Sequence, residues 1–296
     1  MRQSIHALKK VLLTGAGGQL AADLEAAFAS AGHTVVGYRR EDLDITDERA
    51  VAGVLREVRP DIVLNTAAYN KVDAAEADPG PAFAVNAFGP RLLARGAQDS
   101  GAVIVHYSTD YVVDGSRATP AREDDPPLPR SVYAASKLSG EYFVRASSSR
   151  SYVLRVCGLY GLAGRRTRHG NFVETMLRLA SSGKPLRVVA DQITAPTATR
   201  DVAAVTLALC DGGAPYGLYN CTAEGETSWY DFAAAVFALA GVEVDLASTT
   251  AAEYGAAAAR PDYAVLDNAR LLAAGVARPR PWREALSAYL AERGGL

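Results

Sequence analysis

The sequence predicts an α/β protein with a doubly wound parallel sheet and a smaller α+β lobe towards its C-terminal end. Short, wholly apolar runs alternate with longer amphipathic segments through the first half of the 296 residues. This alternation is typical of a parallel sheet that is covered by helices on both faces. A glycine-rich turn directly follows the first apolar run, which is the order expected of a Rossmann fold.

The apolar runs and the segments between them predict the elements in chain order. The segment after the first strand is predicted to be helical because Leu20, Leu24 and Phe28 recur at helical spacing. Pro60 marks the end of a second helix, since proline disfavours helical backbone in the residue before it. The strands are expected at 11–13, 34–36, 61–65, 103–106 and 152–156, and the helices after residue 20 and over 51–59, 81–100 and 131–147.

Residue 156 is the predicted boundary between two domains, because the strand–helix rhythm weakens there and later elements are short and mixed. We expect a dinucleotide-binding Rossmann domain over residues 1–156 and a substrate-binding lobe over 157–296. The segment 196–210 is a candidate helix that packs back on the first domain.

The composition excludes several classes of function. Lys and Arg total 31 against 33 Asp and Glu, a net charge of −2, so the sequence offers no broad basic surface for nucleic acid or an anionic membrane. No stretch approaches the roughly 20 apolar residues that cross a bilayer, and neither a signal peptide nor a metal motif is recognisable. We expect a cytoplasmic protein, a monomer or homodimer, with no metal and no nucleic-acid or membrane partner.

The turn after the first strand reads TGAGGQLA from Thr14 to Ala21 and predicts a phosphate-binding loop. Gly15 and Gly18 lie where a tight turn and a close approach of the backbone to a pyrophosphate each favour glycine. The following helix would offer free N–H groups and the positive end of its dipole. Such a turn can also be an ordinary connection, but its place at the first strand–helix junction favours a dinucleotide site.

The end of the second strand predicts which dinucleotide is bound. Arg39 and Arg40 follow this strand directly, where arginine accommodates the 2′-phosphate of NADP and an acidic residue would bind the ribose of NAD. We therefore predict NADPH as the cofactor. Asp42 and Asp44 come shortly afterwards, so NADH stays an alternative.

Three side chains predict hydride transfer to a carbonyl. Tyr133 and Lys137 lie four residues apart on a predicted helix and so share one face. The ammonium is expected to lower the pKa of the phenol and make Tyr133 a proton donor or acceptor. Thr109, with Ser108 beside it as a less favoured substitute, follows the fourth strand at the end where ligands bind in open α/β sheets.

On these motifs the chain resembles the extended short-chain dehydrogenase/reductases, and among them the dTDP-4-dehydrorhamnose reductases. The resemblance covers most of the chain and rests on GAGGQL (15–20), NTAAYNKVDAAE (65–76), HYSTDYVVDG (106–115), YAASKLSGE (133–141) and DQITAPT (191–197). It implies NADPH-dependent reduction of the C4 ketone of a dTDP-4-keto-6-deoxyhexose in deoxysugar biosynthesis. A dTDP-linked sugar is then the expected partner, and the lobe over 157–296 is expected to bind mainly the sugar nucleotide.

The resemblance also implies a role for each site residue. Thr109 would polarise the carbonyl, Tyr133 would protonate the developing alkoxide, and Lys137 would assist Tyr133 and hold the nicotinamide ribose. Besides Tyr133 and Lys137, the cofactor-binding residues would be Gly15, Gly18, Gln19, Leu20, Arg39, Arg40, Asp44, Ile45, Ala67, Ala68 and Tyr69. The residues expected to approach the sugar are Asn70, Val72, Asp73, Asp110 and Tyr111. For Asp73 and Asp110 a helix cap is the alternative.

The sequence departs from this family where the sugar would bind. The family usually has a tryptophan after the fifth strand, and Gly158 stands there. Thr194 replaces a glycine, and the loop over 164–170 (GRRTRHG) is strongly basic, so that Arg165, Arg166, Arg168 and His169 would either contact a diphosphate or face solvent. A retained Thr–Tyr–Lys set beside altered sugar-facing stretches predicts the same reaction on a related sugar nucleotide.

Two other functions stay open at the level of sequence. An NAD(P)-dependent sugar-nucleotide epimerase of the same superfamily would hold its cofactor and recycle it. A dehydratase is disfavoured because Tyr111, and not a second carboxylate, follows Asp110. A non-catalytic regulatory subunit that binds a sugar nucleotide or cofactor would keep the fold without the chemistry.

Overall fold

The computed structural model describes residues 8–167 and 170–294, and its centre is a six-stranded parallel sheet with the strand order β2-β1-β3-β4-β5-β8. The predicted fold class is thereby confirmed. The strands of this sheet are β1 (Lys10–Thr14), β2 (Thr34–Tyr38), β3 (Ile62–Asn65), β4 (Val103–Thr109), β5 (Ser151–Val156) and β8 (Gly217–Asn220). The smaller strands are β6 (Leu186–Val189), β7 (Ile193–Thr194), β9 (Thr227–Ser228) and β10 (Leu246–Thr249).

Helices cover both faces of the sheet. They are α1 (Gln19–Ser30), α2 (Glu48–Val58), α3 (Val72–Ala77), α4 (Pro79–Phe83), α5 (Gly89–Ser100), α6 (Val132–Ser147), α7 (Phe172–Ala180), α8 (Thr199–Gly212), α9 (Trp229–Ala240), α10 (Ala251–Tyr254), α11 (Ala269–Ala273) and α12 (Trp282–Gly294). On one face α1 and α8 bury Leu24, Phe28 and Val202. On the other, α2, α5 and α6 bury Leu55, Leu93 and Val144, so both faces of the strands are apolar.

The helix predicted over 81–100 contains an irregular turn. The segment Ala84–Phe88 is π-helical and joins α4 to α5. It carries the fully buried Asn86, whose side chain points inward. A π-helical turn adds a residue to one turn of helix and is frequent at functional sites.

The sixth strand comes from the range predicted as the substrate lobe. β8 pairs in parallel with β5 from Tyr152↔Gly217 to Arg155↔Asn220. The α8 helix covers most of the 196–210 segment and packs on α1. The division at residue 156 remains a prediction, and these two elements of the 157–296 range belong to the main sheet and its covering layer.

The remainder of the 157–296 range forms a smaller lobe with its own apolar core. β6 pairs in parallel with β10, and β7 pairs antiparallel with β9. The helices α7, α9 and α12 bury Val173, Phe232, Val236 and Leu286 together. None of the described helices is both long and apolar enough to cross a membrane.

Candidate active site

Thr109 and Tyr133 meet at the carboxyl end of β4. Thr109 is the last residue of β4, and its hydroxyl caps the short turn that follows by accepting a hydrogen bond from the Tyr111 N–H at 3.2 Å. Tyr133 is the second residue of α6, which begins after Ser131 caps it. The Thr109 side chain lies close enough to the Tyr133 phenol to lower its pKa. The structure therefore brings together two of the three residues predicted as catalytic.

Lys137 follows one turn later on α6 and is only 3% exposed. Its Nζ donates a hydrogen bond to the Tyr107 carbonyl of β4. Burial lowers the pKa of Lys137 to about 8, and the nearby Glu141 carboxylate works against this shift. The ammonium is therefore anchored to the sheet beside Tyr133.

The prediction that the pKa of Tyr133 is lowered is wrong. Burial raises the pKa of Tyr133 well above its ordinary value, and the Asp110 carboxylate raises it further. The Thr109 side chain lowers it only partly. Because desolvation and the nearby carboxylate both disfavour the phenolate, the phenol keeps its proton at neutral pH.

Asp110 is a buried carboxyl group that faces other protein groups. Its Oδ1 accepts a hydrogen bond from Thr109 Oγ1 at 3.0 Å, and its Oδ2 accepts one from Cys157 Sγ at 3.0 Å. Cys157 Sγ also lies 2.8 Å from Thr194 Oγ1. Burial raises the pKa of Asp110 to about 6. Both carboxyl oxygens thus have partners within the protein, and the approach of Asp110 to a sugar stays a prediction.

Ser108 contacts α6 through the Glu141 carboxylate. Its hydroxyl donates to Glu141 Oε1 at 2.6 Å, and the Arg155 guanidinium donates to both Glu141 oxygens at 2.9 and 2.8 Å. The Glu141 and Arg155 side chains are 2% and 3% exposed. This buried ion pair ties the helix that carries Tyr133 and Lys137 to β4 and β5.

The glycine turn has the shape of a phosphate cradle. Gly15 and Gly17 have φ values of +75° and +87°, in the region that favours glycine. A Cβ at position 15 would lie 2.8 Å from the Ala67 nitrogen, so only glycine fits there. No side chain caps the first N–H groups of α1 after Gly18, which leaves them free for an anion. These features fit a dinucleotide.

The side chains of Gln19 and Leu20 make contacts within the protein. Gln19 donates to the Leu159 carbonyl at 3.0 Å and accepts from the Gly161 N–H at 3.1 Å, so it ties the loop after β5 to α1. Leu20 is 6% exposed within the core. Only the backbone N–H groups of these residues are available for a pyrophosphate, as a helix N-terminus allows.

Three residues after β2 that are predicted to contact the cofactor lie at the surface. The Arg39 Nε lies 3.8 Å from the position of a Gly17 Cβ, and the side chain is 64% exposed, so a cation stands beside the cradle. Arg40 is also exposed. Asp44 accepts hydrogen bonds from the Thr46 N–H and hydroxyl at 2.9 and 2.7 Å, which lower its pKa.

Asn86 holds the loop after β3, and sequence reasoning gave it no role. The loop over 67–70 is partly exposed, up to Asn70. Asn86 accepts from the Tyr69 N–H at 2.8 Å and donates to the Tyr69 carbonyl at 3.0 Å and to Ser136 Oγ at 3.0 Å. The side chain thus fixes the predicted cofactor loop against α6.

Ile45 is 4% exposed, and a Cβ on Gly89 would clash with it, so the Ile45 side chain belongs to the core.

A cavity of about 390 Å³ opens beside Tyr111, whose ring lies 6.0 Å from that of Tyr133 in an edge-on arrangement. Its lining is largely apolar and carries two arginines that sequence reasoning assigned no role, Arg187 and Arg260. Arg260 binds the Asp73 carboxylate at 2.9 Å across the cleft, so Asp73 has a partner in the protein. Arg187 lies in the short strand β6 and Arg260 in a loop. A single arginine in such a segment does not indicate a cavity wall in the sequence.

The basic loop does not line this cavity in the part of the chain that is described. Arg165 reaches the Arg293 carbonyl at 3.4 Å. The predicted contacts of Arg168 and His169 lie outside the described residues.

Val72, a predicted sugar contact, begins α3 beside Asp73 and is partly buried.

A family model described as the RmlD substrate binding domain matches residues 9–294. The chain belongs to this family. The spore coat polysaccharide biosynthesis protein SpsK of Bacillus subtilis is 41% identical over 286 residues, which cover 97% of this chain and 98% of that protein. A dTDP-4-dehydrorhamnose reductase of Streptomyces griseus is 41% identical over 282 residues, covering 93% of this chain and 91% of that protein.

A solved structure of an RmlD-like protein adds a cofactor to the comparison. The crystal structure of dTDP-4-dehydrorhamnose reductase from Bacillus anthracis in complex with NADP superposes with a TM-score of 0.91 at 35% identity, covering 97% of this chain and all of that chain. In the present RmlD-family chain, the described residues contain no group of three or more His, Cys, Asp or Glu side chains that could hold a metal ion.

Proposed function

We propose that this protein reduces the C4 ketone of a dTDP-4-keto-6-deoxyhexose with NADPH, in deoxysugar biosynthesis. The observation that carries the proposal is the meeting of the Thr109 and Tyr133 side chains, with Lys137 one turn further along α6, beside a glycine cradle and a largely apolar cavity. The names of the S. griseus and B. anthracis relatives, both dTDP-4-dehydrorhamnose reductases, support it.

The protonation state of Tyr133 suits it to the reductive direction. Bound NADPH would supply the hydride to the carbonyl carbon. Because its pKa is raised, Tyr133 holds its proton at neutral pH and can donate it to the carbonyl oxygen as negative charge develops there. The Thr109 hydroxyl, beside the phenol, polarises the same oxygen. Lys137, one turn further along α6 and anchored to the Tyr107 carbonyl, would supply the cation of the site.

We assign the cofactor to the cradle and the loops around it. Its phosphates would meet the backbone at Gly15, Gly18, Gln19 and Leu20, and Arg39 with Arg40 would favour NADPH over NADH. The remaining proposed contacts are Asp44, Ile45, Ala67, Ala68 and Tyr69 around the adenosine and ribose, and Tyr133 and Lys137 at the nicotinamide end.

We assign the sugar nucleotide to the cavity beside Tyr111. Its proposed sugar contacts are Asn70, Val72, Asp110 and Tyr111. Arg187 and Arg260 line the cavity, where they pair with Glu253 and Asp73, and their guanidinium groups would bind a diphosphate. We further propose that the dTDP-linked sugar is the partner, and that the protein acts in the cytoplasm as a monomer or homodimer.

The test is NADPH oxidation with a panel of dTDP-4-keto sugars. We expect Tyr133→Phe to lower kcat at least about a hundredfold, the usual contribution of a positioned proton donor, because the phenol is the only group we assign to protonate the product. Tyr142→Phe is the matched control, since Tyr142 lies on the same helix and is 54% exposed. Equal turnover by Tyr133→Phe and wild type would remove Tyr133 from this role.

A further inference from the structure

One indole joins the cavity to the catalytic end of the sheet. Trp229 is the first residue of α9 and lines the cavity beside Tyr111. A Cβ at position 158 would lie 3.0 Å from Trp229 Cη2 and 3.3 Å from Pro196 Cα. Gly158 has a φ of +46°, which favours glycine. The indole therefore lies in the space that any side chain at position 158 would need.

The backbone and its neighbours hold Trp229 in this position. Ser228 caps α9 by accepting from the Asp231 N–H at 2.9 Å, and its hydroxyl donates to the Asp231 carboxylate at 2.6 Å. The β9 strand, which ends at Ser228, pairs with β7. The ring of Phe172 lies 4.6 Å from the indole. The indole is thus a fixed wall, whose contribution to binding costs little side-chain entropy.

The cavity that the indole lines also reaches the groups that act on the carbonyl, because Tyr111 lines it too and its ring lies 6.0 Å from that of Tyr133. Gly158 directly follows Cys157, whose thiol contacts the Asp110 carboxyl group, and Asp110 in turn accepts a hydrogen bond from Thr109. Trp229 therefore borders the end of the cavity where the reacting ring would lie.

We propose that Trp229 is the wall on which the sugar ring of the substrate packs, that Gly158 admits it, and that together they select 6-deoxy sugars. This proposal rests on the proposed function. The C–H face of a deoxyhexose and its C6 methyl are apolar and pack well on an indole. Phe172, whose ring packs against the indole, and Met176 line the same cavity and offer no side-chain oxygen or nitrogen to a C6 hydroxyl, so burying one against them would be unfavourable.

A fluorescence titration measures this contact directly. The chain has two tryptophans, so the Trp282→Phe variant reports on Trp229 alone. With saturating NADP⁺ and excitation at 295 nm, we expect a dTDP-6-deoxyhexose to change the emission and dTDP to leave it unchanged, although both absorb alike. An equal response to dTDP would place the indole at the nucleotide and overturn the proposal. Wild type is titrated in parallel, in case Trp282→Phe is poorly folded.

Kinetics with Trp229→Ala provide the second readout. We expect KM for the dTDP-4-keto-6-deoxyhexose to rise about tenfold, the loss expected for a ring contact, and the preference over the 6-hydroxy analogue to fall. We expect KM for NADPH and inhibition by dTDP to stay within about twofold. Leu239→Ala is the matched control, because Leu239 lies on α9 and is 43% exposed. Trp229→Phe, which keeps an aromatic ring, should fall between wild type and Trp229→Ala.

The two proposals fail differently. If wild type oxidises NADPH with a dTDP-4-keto sugar, but Trp229→Ala keeps its KM and selectivity, only the role of Trp229 is lost. If wild type turns over no dTDP-4-keto sugar, the proposed function fails and the role of Trp229 fails with it.

Discussion

At the scale of the residue, burial decides the chemistry of the groups around Thr109. Asp110 is 3% exposed, and its two oxygens accept hydrogen bonds from Thr109 and Cys157. Tyr133 is partly buried beside it, and the nearby carboxylate makes its ionisation harder still. The result is a phenol that holds its proton next to a carboxyl group that titrates near pH 6.

The raised pKa of Asp110 predicts a pH dependence of stability. The folded chain holds this proton up to a pH of about 6, whereas the unfolded chain releases it near 3.8, so the free energy of unfolding falls as pH rises between these values and is level above them. We expect the stability of wild type relative to Asp110→Asn to drop by about 2 kcal/mol between pH 4.5 and 7.5, since one pKa unit corresponds to about 1.4 kcal/mol.

Urea denaturation at the two pH values measures this difference. Asp99→Asn is the control for the loss of one carboxylate, because Asp99 lies on the exposed end of α5. A stability difference between wild type and Asp110→Asn that does not change with pH would show that Asp110 titrates as an ordinary carboxyl group.

At the scale of the element, α6 is the helix on which the site depends. It carries Tyr133 and Lys137, and it is fastened by Glu141, whose carboxylate pairs with Arg155 and accepts from Ser108. Asn86 adds a hydrogen bond to Ser136 on the same helix. These contacts fix the orientation of α6 towards β4, and therefore the approach of Tyr133 to Thr109.

Glu141→Gln tests how much this anchor contributes. Removing the charge leaves the Arg155 guanidinium buried without its counterion, and we expect the free energy of unfolding to fall by about 3 kcal/mol. Glu48→Gln breaks the exposed pair with Arg95, where the side chains are 71% and 54% exposed, and should change stability by less than about 1 kcal/mol. Similar losses in the two variants, measured by urea denaturation, would contradict the anchoring role.

Local pattern predicted the helices and strands well and their irregularities poorly. The apolar periodicity around Leu24 and Leu93 depends only on near neighbours in the chain, so it is visible in the sequence. The π-helical turn is not visible, because Asn86 bonds to Tyr69 and Ser136, which are 17 and 50 residues away. The raised pKa of Tyr133 could not be predicted from the sequence for the same reason, because burial depends on the whole fold.

At the scale of the whole molecule, distant segments complete the site. The sixth strand, Gly217–Asn220, is short and weakly patterned, and it joins β5 from some 60 residues away, so sequence reasoning did not predict it. Arg260, which lines the cavity, pairs with Asp73 across 187 residues. The motifs around Thr109 and Tyr133 indicated the chemistry, whereas the cavity wall required the three-dimensional structure.

The central claim is that hydride and proton are delivered to one carbonyl group between Thr109 and Tyr133. The most direct measurement uses NADPH deuterated at the transferred position and a dTDP-4-keto-6-deoxyhexose, with the product analysed by NMR. We expect one deuterium at C4 of the sugar and one NADPH oxidised for each sugar reduced. Conversion of the sugar without deuterium at C4, or without net oxidation of NADPH, would contradict the account.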